Sequence, residues 1–108
     1  MENNNYALVS ADEQGTVLAL RGSVTSENSK AIEGGMMSLR AAHPAGKLSI
    51  DASVLDCISG AGMNVLMRLR KNEDSLRVFN VSNEVYDSLR QNGLTELITV
   101  EKNHGLKN

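Results

Sequence analysis

Hydrophobic period switches back and forth along this chain: short apolar runs alternate with stretches in which apolar residues recur every three or four positions. "YALVS" and "TVLALRG", separated by the polar "ADEQG", read as a hairpin of two strands. After Gly22 the period lengthens. Ile32, Met36 and Leu39 fall on one helical face, which predicts a helix over 26–42 capped by Thr25 or Ser26 and ended by His43-Pro44. Gly34 and Gly35 weaken that helix by roughly 0.8–1.0 kcal/mol each relative to alanine, so a close neighbour or a locally weak turn is expected there.

"KLSIDAS" and "LRVFNV" are the next strands, and between them a helix over 61–71 groups Met63, Leu66 and Met67, with Val65 and Leu69 widening the apolar arc. Asn64, Arg68 and Lys71 form its polar stripe. A third helix over 83–92 takes Ser82 as its cap and ends at Gly93, and "LITV" is a last strand. This order requires crossover helices between the later strands. The fold class is therefore α/β, a mixed β-sheet of four to five strands with helices packed on it. One domain over residues 6–100 is expected, with 1–5 a flexible N-terminus and 101–108 a frayed C-terminal tail.

Composition narrows the function classes. Apolar residues make up 41% of the 108, charged residues 22%, and there is one proline, as in soluble globular domains. No apolar run reaches the roughly 20 residues that span a bilayer, and "MENNNYALVS" lacks the basic and apolar regions of a secretory signal. The expectation is a cytoplasmic protein without direct membrane insertion. A net charge of −2 and three aromatics, Tyr6, Phe79 and Tyr86, speak against a nucleic-acid surface.

Groups with catalytic or ligating chemistry are sparse. His43 and His104 have no companion at metal-ligand spacing, so no metal or other cofactor is expected. Cys57, between Leu55 and Ile58, is expected to be buried and unreactive. Asp51 and Asp56 admit a metal or acid/base reading, but acceptance of turn N–H bonds is preferred. "RLRKNED" reads as a solvated helix end. Ser59 lacks a positioned base, so no catalytic residue is assigned and no enzyme activity is expected.

"KLSIDASVLDCISGAGMNVLMRLRK", residues 47–71, resembles the signature region of STAS domains, the fold of bacterial anti-sigma-factor antagonists. Their pattern is a strand ending in Asp, a short apolar connection, Asp-Ser-Ser-Gly or Asp-Ser-Thr-Gly, and an apolar helix. Asp51 matches the strand-ending Asp, and Gly62 with Met63, Val65 and Leu66 matches the last glycine and its helix. "VLALRGSVTSENS" and "FNVSNEVYDSLRQNGLTELITV" resemble the flanking regions. Ser59 stands where the family has Asp, Gly60 where it has the phosphorylated hydroxyl residue, and Ala61 where it has the next hydroxyl.

The resemblance implies regulation of bacterial transcription by partner switching: unphosphorylated antagonist binds an anti-sigma factor or related serine kinase, and phosphate on the turn ends binding. About two negative charges on a packed surface disrupt it by repulsion and desolvation. Glycine cannot carry them. Three readings follow: a permanently unphosphorylated binder, phosphorylation of Ser59 instead, or a scaffold without the switch. Expected partner-binding residues are Ser59, Gly60, Ala61, Gly62 and Met63. The family also implies an alternative, an accessory subunit of a membrane transporter or its ATPase. A third reading, from the residues, makes the N–H groups of 60–62 an anion nest for a small ligand.

Overall fold

The computed structural model describes residues 5–103, so the first four residues of the expected N-terminal segment and the tail from His104 onward lie outside the described residues. Strands β1 (Tyr6–Asp12) and β2 (Gly15–Leu20) form the antiparallel hairpin. Asp12 Oδ1 closes its turn by accepting from the N–H groups of Gln14 and Gly15 at 2.8 and 3.2 Å. Strands β4 (Lys47–Asp51), β6 (Leu76–Val81) and β7 (Thr99–Lys102) add in parallel, giving the order β1-β2-β4-β6-β7. The expected mixed sheet is present.

Helices α1 (Ser29–Ala42), α2 (Gly60–Lys71) and α3 (Asn83–Gln91) join these strands, and a 3-10 turn over Leu94–Glu96 leads into β7. Their buried residues share one core with the sheet: Ile32 and Met36 of α1, Val65, Leu66 and Leu69 of α2, and Val85 and Leu89 of α3 meet Leu18, Leu48, Ile50 and Val78. The strands alternate accordingly. In β4 the buried Leu48 and Ile50 face this core, while Ser49 and Asp51 stay half-exposed on the other side. Met67 packs against the core and is only partly buried.

Four differences from the sequence expectation have local causes. First, a second, two-stranded parallel sheet joins β3 (Gly22–Val24) to β5 (Leu55–Ile58). Second, α1 begins three residues late: Thr25 Oγ1 accepts from the N–H groups of Glu27 and Asn28, and Asn28 Oδ1 accepts from that of Thr25. These bonds hold 25–28 in a turn ahead of the helix, and neither Thr25 nor Ser26 caps it. Third, Asn5 is anchored, because Arg21 N–H donates to its carbonyl at 2.7 Å and its own amide donates back to Arg21 O at 2.9 Å. Fourth, the last strand is shifted two residues along from the expected "LITV": Leu97 closes the 3-10 turn, and β7 runs from Thr99 through Glu101 and Lys102, so the sheet takes in the start of the expected tail.

The two α1 glycines also separate. A Cβ on Gly35 would collide with the Tyr6 ring, whereas one on Gly34 would meet nothing within 4 Å. Close approach of β1's aromatic ring therefore accounts for Gly35 alone.

Candidate functional site

The small β3/β5 sheet forms a ledge that delivers the chain to the start of α2. Gly22 N–H donates to Val54 O at 2.8 Å and Ser59 N–H to Val24 O at 2.9 Å, so both ends of β5 are tied to the β3 segment. Ser59 then leaves the ledge in extended geometry, and its Oγ accepts from Gly62 N–H at 3.2 Å. The N–H groups of Gly60 and Ala61 belong to the first turn, whose donors have no intrahelical acceptor. At the far end Arg68, Arg70 and Lys71 oppose the negative pole of the helix.

Each residue of the turn has a distinct place. Gly60 is exposed, and a Cβ built on it would meet nothing within 4 Å. Ser59 and Ala61 are half-buried, while Gly62 and Met63 are buried. A Cβ on Gly62 would lie 2.6 Å from Ile58 Cγ1 and 2.7 Å from Val24 Cγ1. Glycine there lets α2 lie against the ledge, and Met63 enters the core. The exposed or half-exposed part of the turn is thus Ser59, Gly60 and Ala61, preceded by exposed Asp56 and Cys57, with Ser23 across from Cys57, and followed by exposed Asn64.

Two substitutions test this geometry. Gly62→Ala should overpack the junction and cost about 1–3 kcal/mol, read as a lower denaturation midpoint. Ser59→Ala removes the cap and should cost about 0.5–2 kcal/mol. An unchanged midpoint in the second would mean that the Ser59 hydroxyl does not hold the helix.

The expected burial of Cys57 is wrong. β5 turns Leu55 and Ile58 inward and leaves Asp56 and Cys57 exposed, with Cys57 Sγ 3.2 Å from Ser23 Oγ. Asp51 behaves as a turn acceptor: its Oδ1 takes the Ser53 N–H at 3.0 Å and the Asn80 side-chain amide at 3.3 Å. Asn80 itself sits at φ 62°, a left-handed conformation that asparagine tolerates. Among the described residues no three His, Cys, Asp or Glu side chains gather as metal ligands, and no helix is long and apolar enough to cross a membrane.

At the other end of α2, roughly 18 Å away along its axis, sequence reasoning missed a charged network. Arg40 donates through Nε and Nη2 to both carboxylate oxygens of Glu73, at 3.0 and 2.9 Å, and through Nη1 to Thr16 Oγ1 and the carbonyls of His43 and Ala45. Its Nη2 also reaches Gly46 O at 2.6 Å. Glu73 is therefore not part of a solvated helix end. A groove of about 330 Å³ lies beside this pair, lined by Met37, Ala41, Pro44 and Leu69. Its charged groups are already committed to one another and to the backbone.

Sheet, ledge and turn define a small α/β domain that displays the start of one helix at its surface. The family model described as "Mlab, STAS domain" matches residues 7–99, and the chain belongs to the STAS domain family. Solved structures share this fold, among them two that span nearly all of this chain. One, described as a candidate anti-sigma factor antagonist of Thermotoga maritima, superposes with a TM-score of 0.77 at 10% identity, covering 94% of this chain and 90% of that one. The other, an anti-sigma factor antagonist from Mycobacterium paratuberculosis, gives 0.73 at 16% identity with the same coverage. At such identities the likeness is one of fold. No curated protein matches the sequence.

Proposed function

We propose that this chain is a non-catalytic, cytoplasmic partner-binding regulator that docks through Ser59, Gly60 and Ala61 and is not switched off by phosphate on that turn. The observation that carries this reading is Gly60: the place the family resemblance gives to the phosphoacceptor is exposed and unobstructed, and it holds no hydroxyl. Ala61 has none either. The nearest hydroxyl in the turn, on Ser59, is occupied as the acceptor of the Gly62 N–H. Without an added charge of about −2, nothing on the turn opposes a packed partner. The likeness to anti-sigma factor antagonists supports, as the partner class, an anti-sigma factor or related serine kinase of a bacterial transcription circuit.

A surface that phosphate does not close also suits a lasting subunit. That favours, as the second reading, an accessory role on the ATPase of a membrane transporter. Affinity capture with the full chain from its native cells separates the two: a kinase-like protein supports the first, an ATPase or permease the second. Hydrogen exchange on the captured complex tests what they share. Protection of residues 59–61 is expected, and exchange there as fast as in the free chain would overturn the docking surface.

A further inference from the structure

Asn92-Gly93 is the one Asn-Gly pair in the chain, and it stands where α3 ends. Glycine has no Cβ to hinder its own nitrogen, so after asparagine that nitrogen attacks the side-chain amide more readily than in any other pair. Gly93 is there for its φ of 81°, the left-handed geometry that closes a helix. The same closure holds both reacting groups. Asn92 Nδ2 donates to Ser88 O at 2.8 Å, and Gly93 N–H donates to Arg90 O at 3.0 Å. Asn92 is itself exposed, at the end of a nine-residue helix, where only a few bonds must open to release the pair.

We propose that Asn92 is a site of spontaneous deamidation, gated by opening of the α3 end, and that the change, once made, weakens that end. In the opened turn the Gly93 nitrogen loses its proton and bonds to Asn92 Cγ, and the Cγ–Nδ2 bond breaks as ammonia leaves. Water then opens the cyclic imide at either carbonyl, giving aspartate or isoaspartate with no oxidant or reductant. Either product undoes the closure. The donor to Ser88 O is replaced by a carboxylate, which repels that oxygen and the negative pole of the helix. Isoaspartate also adds a backbone atom ahead of Leu94, whose buried side chain anchors the 3-10 turn leading to β7. The modification therefore accumulates with the age of the chain and loosens the path from α3 to the sheet.

Peptide mapping by mass spectrometry tests the site, on the full chain incubated at neutral pH either folded or unfolded in guanidinium chloride. Acid at residue 92 is expected in both, formed roughly tenfold more slowly in the folded chain, because a helix end opens at a small free-energy cost. Equal rates would overturn the gate. A folded chain still unmodified at residue 92 after many half-lives of the unfolded reaction would overturn the site. The consequence is read on the aged protein, whose acid-containing fraction separates by its extra negative charge, and on Asn92→Asp. Both should melt about 4–8 °C below the unmodified chain, the shift that goes with losing one hydrogen bond. Melting temperatures equal to that of the unmodified chain would show that the Asn92 amide does not hold this end, against the proposal.

Discussion

Arg40→Ala should lower the stability of the domain by about 3 kcal/mol, the lower end of the range for breaking a buried ion pair from one side. Arg40 and Glu73 are only 13% and 10% exposed at their side chains, so the variant leaves a nearly buried carboxylate without its partner. It also strips donors from the His43, Ala45 and Gly46 carbonyls, which sit in the connection from α1 to β4. In a domain of this size such a loss moves the melting temperature by more than about 10 °C. Arg68→Ala is the comparison. Its pair with Glu33 leaves Arg68 49% exposed, and exposed pairs contribute about 0–1 kcal/mol. Equal melting temperatures for the two variants would mean that Arg40 holds nothing together.

Gly60→Asp should leave the fold intact and reduce partner affinity by about a hundredfold, equivalent to some 2.7 kcal/mol. The stability half follows from space and field: the new Cβ meets no atom within 4 Å, and a carboxylate at the first position of a helix faces its positive pole. Replacing a helical glycine adds a small backbone gain. Thermal stability equal to or slightly above wild type is therefore expected. The affinity half follows from burying the same carboxylate in an interface where no cation on this chain has been placed to receive it. A folded variant that binds as wild type does would move the interface off this turn.

The larger elements were legible because each carries its own period. The β1–β2 hairpin, β4, β6 and the three helices announce themselves through runs of apolar residues and, for α3, through Ser82 as its cap. β3 and β5 did not, because segments of three and four residues show no usable alternation and exist through pairing with each other across the chain. Cys57 was misjudged for the same reason: its exposure is set by that pairing, with Leu55 and Ile58 turned inward, and not by the apolarity of its neighbours. Arg40 and Glu73 lie 33 positions apart, and nothing local to either marks the bond between them. Similarly, the turn's sequence shows that the hydroxyls are missing at 60 and 61. Only the fold separates its exposed part, Gly60, from its packed part, Gly62 and Met63.

The claim that this surface is not governed by phosphate can be measured in one way that involves both the turn and its partner. The chain is isolated from its native cells, divided into partner-bound and free pools, and the phosphorylation of Ser59 is quantified by mass spectrometry in each. Unmodified Ser59 in both pools is the expected result, since its oxygen serves as the cap of α2. Phosphate on Ser59 throughout the free pool and absent from the bound pool would contradict it, and would restore the switch one residue ahead of Gly60.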